Sequence, residues 1–217
     1  MKDIIQKILD IAVYAPSGDN SQPWEFVVKN DEIKIFNIPD KDNPYLNFQQ
    51  SGSYVAHGAL IENIVIAASQ FGYIAMVNLF PDAQEQDLVA VIGLKKTTPR
   101  EELFYPFIKE RCTNRKPYES RKLSEGQKRS FMHAPEEVGM GGKVILVDED
   151  SKMKAIGEAS SAMEQIALET KFLHKLFFAD IVWTEKEEQE KKCGLYLKTM
   201  ELPPPAQILF KIIRYWP

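Results

Sequence analysis

Apolar residues recur at helical spacing from the first turn of the chain: over residues 3–14, Ile4, Ile5, Ile8, Leu9 and Ala12 fall on one stripe. The spacing predicts a docked amphipathic helix. It should end at the Ala15-Pro16 step, because the residue before a proline is pushed out of the helical region. From Trp24 to Val28 and from Glu32 to Phe36 the pattern becomes strand-like, with Asn30-Asp31 as a turn pair between the runs, so a hairpin is expected. Residues 38–50 hold two prolines and no clear period, which reads as a long loop.

Ser51 or Ser53 is the expected cap of the next helix, which runs to a stop at Gly72. Between Ala59 and Ala68 only Glu62 and Asn63 are polar. A helix apolar most of the way round is buried, either centrally or against a partner. Residues 73–79 and 87–94 read as two strands separated by a Pro81-Asp82 turn. Arg100–Glu110 reads as a helix that Pro106 makes irregular, and another helix is expected from Ser124. After Gly139, Gly141 and Gly142, Lys143–Val147 reads as a strand, and Ser151–Leu173 as one long helix with Ile156, Ala159, Met163, Ile166 and Ala167 on its apolar face. Glu185–Lys192 alternates charges and should be a solvated helical face. The last stretch carries Ile208, Leu209, Phe210, Ile212, Ile213, Tyr215 and Trp216 after a proline stop. So apolar a terminus should be covered by the body of the chain, by another subunit or by a membrane surface.

The 217 residues suffice for one substantial core or two small modules sharing one. The net charge of -4 argues against a nucleic-acid partner, which would need a basic face. No apolar run approaches the roughly 18 residues of a membrane span, and a cytoplasmic protein is expected. Cys112 and Cys193 have no C-x-x-C partner and read as reduced thiols; with three scattered histidines, a dedicated metal site is not expected.

Two polar stretches carry the candidate chemistry. The first, A-P-S-G-D-N-S-Q-P-W-E-F from Ala15 to Phe26, crowds Ser17, Asp19, Asn20, Ser21 and Gln22 into a turn stiffened by Pro16, Gly18 and Pro23. Such a loop is either a capped helix end with an ordinary turn or a binding loop held by its flanking elements. The second, R-C-T-N-R-K-P-Y from Arg111 to Tyr118, sets two arginines four residues apart with Thr113 and Asn114 between them. That donor set suits a phosphate, and it equally suits an exposed basic turn paired with Glu110 and Glu119. No Ser-His-Asp or paired-carboxylate arrangement is evident, so no catalytic acid, base or nucleophile is assigned. His57 reads as a core or interface histidine.

The first stretch resembles the A-P-S-x-x-N-x-Q-P-W motif of the FMN-dependent nitroreductase family. The helix around Gly58-Ala59, Asn63, Ala67-Ala68 and Gly72-Tyr73 is similar to that family's central helix, which forms much of its subunit interface. By this resemblance Pro16, Ser17, Asn20 and Gln22 would face the flavin, commonly across a subunit interface. The second stretch resembles the R-x-T-N-R-x-P-F form of a two-module subgroup, in which Arg111, Thr113 and Arg115 would hold the FMN phosphate and ribityl chain, with Asn114 as a subgroup feature. The order of the two motifs is reversed relative to ordinary members, as in that subgroup. There the chain normally continues past the point where this one stops, through a second central helix and a basic residue near the flavin.

The resemblance implies an α+β, nitroreductase-like fold with a central, mostly antiparallel sheet flanked by helices. Residues 1–99 would be a first module and 100–217 a second, incomplete one. It also implies a homodimer that uses FMN, with NAD(P)H as co-substrate, to reduce a nitroaromatic, quinone or similar small acceptor. The alternatives are an inactive relative that stores or senses flavin, and an interaction domain without cofactor.

Overall fold

The computed structural model describes residues 1–29, 31–138 and 142–215. Its contacts divide the chain into two compact units, each discontinuous in sequence: Met1–Asn114 with Asp180–Met200, and Arg115–Ala179 with Glu201–Pro217.

The first unit is α+β. Helix α1 (Lys2–Ala12) buries Ile5, Ile8, Leu9, Ile11 and Ala12, the face its apolar spacing selects. Strands β1 (Trp24–Lys29) and β2 (Glu32–Asn37) form the expected hairpin, with Asp31 in the left-handed region at φ 63°. Asn30, the first residue of the expected turn pair, lies outside the described residues. After helix α2 (Ser51–Gln70), strands β3 (Tyr73–Leu79) and β4 (Leu88–Lys96) complete a four-stranded antiparallel sheet of order β1-β2-β4-β3. Gly72 makes the helix-to-strand stop at φ +81°, where an added Cβ would sit 3.0 Å from the Thr97 carbonyl oxygen.

The register puts Ile33 opposite Ile92 and Ile35 opposite Ala90 on one face of the sheet. All four are buried with α1 and with Leu60, Ile64, Ala67 and Ala68 of α2. A side chain such as Ile64, wholly withdrawn from water, gains about 1.5–3 kcal/mol by burial, so this face holds the unit together. The opposite face leaves Val27, Ile74 and Met76 exposed.

Helix α2 is apolar nearly all round, yet only one side meets the sheet. Val55 is 77% exposed, and Gly58 and Glu62 lie on the same outward stripe. The N-terminus is not capped by Ser51 or Ser53. Asn47 does this instead: its Oδ1 accepts from the backbone N–H of Gly52 (2.9 Å) and of Ser53 (3.4 Å). The loop before α2 folds into short 3-10 turns at Pro39–Lys41 and Phe48–Gln50, with Gln49 and Gln50 left-handed, and so brings Asn47 back over the helix end. His57 is fully buried, with Nδ1 2.7 Å from the Ser53 carbonyl and its ring edge-to-face with Trp24.

Three more expectations are corrected. Arg100–Glu110 is not one helix: only α3 (Phe107–Glu110) forms, directly after Pro106, whose missing N–H and ring exclude it from a helix interior. Lys143–Val147 forms no strand, since no other chain segment of the second unit offers it a ladder partner among the described residues. The helix expected over 151–173 is two, α5 (Asp150–Glu169) and α6 (Lys171–Ala179), broken where Thr170 turns extended at ψ 109°.

In the second unit, α4 (Glu125–Val138) starts as expected, with Ser124 Oγ accepting from the Gln127 N–H and Gln127 Oε1 from the Ser124 N–H. Gly139 and Gly141 of the expected glycine cluster lie outside the described residues. Back in the first unit, two short strands, β5 (Ile181–Val182) and β6 (Leu195–Tyr196), pair in parallel around the exposed helix α7 (Glu185–Lys191), which opens on a Thr184/Glu187 capping box. The chain closes with α8 (Pro204–Ile213) in the second unit. Phe210 packs on Phe177 and Phe178, and His174 Nε2 donates to the Ile213 carbonyl at 2.7 Å. Ile208, Leu209 and Ile212 remain exposed, so the tail is only partly covered; Trp216 lies outside the described residues. No helix among the described residues is long and apolar enough to cross a membrane.

Candidate functional site

The loop between α1 and β1 is held in an unusual backbone. Asp19, Asn20 and Gln22 all have positive φ, at 44°, 57° and 50°. A non-glycine residue in that region costs conformational energy, and three within four positions persist only where the surroundings fix them. The fixing contacts are visible. Ser17 Oγ accepts from the Gln22 N–H at 3.0 Å, and the Ser21 N–H donates to the Gly18 carbonyl at 2.8 Å. The Ile38 N–H donates to the Pro23 carbonyl at 2.9 Å, which ties the loop to the end of β2.

Two further ties come from a segment about 170 residues later. Gln22 Nε2 donates to the Lys192 carbonyl at 2.6 Å, and the Gly194 N–H donates to the Asn20 carbonyl at 3.3 Å. Gly194 is left-handed at φ +89°, and an added Cβ would meet Val182 Cγ2 at 2.8 Å and the Asp180 carbonyl at 2.9 Å. Only glycine fits there.

The Asp42 carboxylate supports the loop from below. It stands 3.6 Å from where a Cβ on Gly18 would lie, and it accepts from Ser53 Oγ at 3.2 Å and the Asn43 N–H at 2.9 Å. Asp180 lies close enough to feel it. Partial burial, first, and the Asp42 charge raise the Asp180 carboxyl above its ordinary value, against a hydrogen bond from Asn43.

Of the residues expected to face a cofactor, Pro16 and Asn20 are exposed and Ser17 and Gln22 half-buried. The Asn20 side-chain amide is uncommitted among the described residues, whereas Ser17 Oγ and the Gln22 amide nitrogen are engaged in shaping the loop. Ser21, Gln22 and Trp24 line a cleft of about 330 Å³ with Lys41, Lys191, Lys192 and Cys193. The three lysines and the cysteine carried no signal in the sequence, because only the fold brings them to this loop.

The second motif is divided by the boundary between the units: Arg111, Thr113 and Asn114 belong to the first, Arg115 to the second. Arg111 lines a cleft of about 430 Å³ with Asn63, Ile66, Phe104, Phe107, Ile108 and Glu110. Its guanidinium makes no ion pair among the described residues, and Phe104 and Phe107 beside it are 63% and 55% exposed. A guanidinium fork beside aromatic and aliphatic walls can take a phosphate ester on a flat ring system, against the Glu110 carboxylate on the same lining. Thr113 is exposed. In the second unit the Arg115 N–H donates to Glu201 Oε2 at 3.1 Å and Lys116 pairs with the same carboxylate at 3.4 Å. These contacts hold the Glu201 carboxyl below its usual range, the Arg115 N–H foremost. Within the first unit, the cleft at Gln22 and the cleft at Arg111 share no lining residue.

No protein-family model matches the chain. Over 97 residues it is 29% identical to a protein of Mycobacterium tuberculosis provisionally named an NAD(P)H nitroreductase, a match spanning 45% of this chain and 28% of the relative. A second protein of that organism with the same provisional name is 29% identical over 85 residues, 38% of this chain and 25% of the relative. The chain thus spans little more than a quarter of the curated relatives it matches. Among solved structures, proteins from Parabacteroides distasonis and Bacteroides thetaiotaomicron, provisionally titled NADH dehydrogenase/NAD(P)H nitroreductase, align with TM-scores of 0.36 and 0.35. These alignments cover 47% of this chain and 80% of each neighbour, at 17% and 18% identity. The chain is distantly similar in sequence to proteins named as nitroreductases.

Proposed function

We propose that the protein is an FMN-dependent oxidoreductase of the nitroreductase type, passing hydride from NAD(P)H by way of flavin to a nitroaromatic, quinone or similar electron-poor acceptor. One observation supports this reading: Arg111, with no ion-pair partner among the described residues, lines a cleft walled by Phe104, Phe107 and Ile108, with Glu110 the one carboxylate on its lining. The donor set fits FMN, with the guanidinium for the phosphate and the aromatic and aliphatic walls for the ring. By the resemblance, Thr113 and Asn114 of the same unit would extend this donor set, while Arg115 follows them in the chain as the second unit begins. When bound, FMN supplies the two-electron redox chemistry, and the protein's part is to hold and orient it.

The Ser17–Gln22 loop lies on a different cleft of the same unit, so its contribution to an Arg111-bound flavin comes in our reading from a second copy. The exposed stripe Val55, Gly58 and Glu62 of α2, with Phe104 and Phe107 exposed nearby, is the surface through which two copies would pair. Pro16 and the uncommitted Asn20 amide then reach the partner's flavin, while Ser17 and Gln22 keep the loop in shape.

A second reading, a flavin-storing or flavin-sensing relative without turnover, is favoured by the commitment of Ser17 and Gln22 to the loop itself. The visible spectrum decides. Purified protein that takes up FMN and bleaches with NADH or NADPH supports the oxidoreductase; flavin uptake without bleaching supports the second reading. Protein that takes up no FMN overturns both.

A further inference from the structure

We infer that β3 is a self-pairing edge: β3 of one copy runs antiparallel beside β3 of a second copy and joins the two four-stranded sheets into one. In the order β1-β2-β4-β3 the strand has a neighbour on one side only. The Phe80 N–H donates to the Val89 carbonyl and the Thr97 N–H to the Gly72 carbonyl, both at 2.8 Å, so the even-numbered residues between Gly72 and Phe80 bond to β4. Tyr73, Ala75, Val77 and Leu79 therefore turn their N–H and C=O groups to the open edge, where they have no backbone partner among the described residues.

Folded proteins usually protect such an edge with charge, proline or a bulge. The opposite edge strand is protected: β1 carries Glu25 and Lys29 and follows Pro23. β3 has none of these devices. No charged residue or proline occurs from Tyr73 to Phe80, and the register with β4 runs unbroken from Tyr73 to Leu79. Its side chains also lack a flank. Val77 and Leu79 lie on the same face as Ile92 and Ala90, their partners across the ladder, yet Ile92 and Ala90 are fully buried while Val77 and Leu79 are exposed. On the other face Ile74 and Met76 are exposed, Met76 at 57%. The apolar rows of the sheet run out to its margin and end there for want of a further strand.

A second copy is the occupant because the strand complements itself. A two-fold axis at Met76, the midpoint of Tyr73–Leu79, sets Ala75 against the partner's Val77 and Tyr73 against the partner's Leu79. In each of these pairs both residues turn their main-chain groups to the edge, so donors meet acceptors along the whole strand. Small Ala75 opposes branched Val77, and no charge meets its like across the axis. Helix α2 packs on β3, with the Tyr54 ring edge-to-face on Phe80 at 5.5 Å, so this pairing sets the two α2 helices side by side on one face of the joined sheet. The β3 edge and the α2 stripe then form one interface. The inference rests on the function proposed above only for the pairing of copies through α2, and it is independent of flavin.

Cross-linking tests the register. In a Cys112→Ser/Cys193→Ser background, Met76→Cys should form a disulfide-linked pair on mild oxidation, because a non-hydrogen-bonded antiparallel pair brings its Cα atoms to about 4.5 Å. Ile74→Cys alone should not link, since its two copies lie roughly 14 Å apart in this register, whereas Ile74→Cys mixed with Asn78→Cys should. A charge swap tests the same contact without oxidation. Met76→Lys and Met76→Glu, at an exposed position and with the fold checked by circular dichroism, should each pair at least fivefold more weakly than wild type in sedimentation, and an equimolar mixture should regain wild-type affinity. Wild-type protein that sediments as pairs while Met76→Cys fails to link overturns the proposal. Linkage of Ile74→Cys as fast as Met76→Cys overturns it too, as do charge variants that pair as tightly as wild type or a wild type that sediments as single chains. FMN uptake is read separately by visible absorption, so failure of the flavin reading and failure of the strand pairing are told apart.

Discussion

Replacing Asn47 by alanine should destabilise the first unit far more than its place in a loop suggests. Asn47 is buried, and one amide serves four partners. Its Oδ1 accepts from the Gly52 and Ser53 N–H groups, and its Nδ2 donates to Ser53 Oγ at 2.8 Å and to Gln50 Oε1 at 3.4 Å. Loss of the helix cap costs about 0.5–2 kcal/mol. Ser53 is fully buried, so its N–H, left without an acceptor, adds about 1–3 kcal/mol, while its Oγ keeps the bond to Asp42. The two terms overlap at the Ser53 N–H, so the total is about 2–4 kcal/mol, a shift of the urea midpoint of roughly 1–2 M for a typical slope. Urea titrations followed by tryptophan fluorescence measure it. Ser51→Ala, at an exposed position, should shift the midpoint by less than about 0.5 kcal/mol. Asn47→Asp should fall between the two, since it keeps the acceptor at the helix N-terminus, where negative charge is favourable, and loses the donor to Ser53. If Asn47→Ala and Ser51→Ala are equally mild, Asn47 is not what closes the helix.

Other outcomes follow from the same structure. Arg111→Ala should weaken FMN retention at least tenfold, as expected from a charge-assisted contact of about 1.5–3 kcal/mol, and unchanged affinity in an absorption titration refutes the phosphate assignment. Asp180→Asn should be stabilising at neutral pH. Because the Asp180 carboxyl is raised above its ordinary 3.8, the native state holds its proton more tightly than the unfolded chain does. Wild-type stability is therefore lost as pH climbs from 3.8 through the raised value, and the two proteins should converge below 3.8 in pH-dependent urea unfolding. Ile64→Ala, at the fully buried face of α2, should cost about 2–5 kcal/mol, whereas Ile208→Ala on the exposed side of α8 should cost little. Val55→Glu should convert a pair of copies into single chains in sedimentation at micromolar concentration; no change would take α2 out of the interface.

What could be read from the chain beforehand was what depends on local period. Ile5, Ile8 and Leu9 at helical spacing placed α1, and the runs around Ile33, Ile35 and Ile92 placed the strands, because each side chain's burial follows from where its own element turns it. The cap of α2 was misassigned for the opposite reason. Ser51 and Ser53 sit where a cap usually does, but the loop doubles back and delivers Asn47, a tertiary fact with no local mark. The helix expected over 100–110 kept its apolar residues but not its regularity once Pro106 intervened, and Lys143–Val147 had a strand's composition without a partner. At the candidate site the loop was visible as a motif. Its clamp was not, since the Gln22 side chain meets only the backbone carbonyl of Lys192, and the Gly194 bond to Asn20 runs from backbone to backbone.

The pairing of Arg111 from one copy with the Asn20 loop from another can be tested by complementation. Arg111→Ala is combined with Asn20→Ala/Gln22→Ala in a heterodimer purified through two different tags, and bound FMN is counted by absorption. Neither parent should retain flavin, while the mixed pair should recover one intact site, one FMN for every two chains. A mixed pair as empty as its parents, beside a wild type that binds FMN, would mean that the two loops do not meet across the interface.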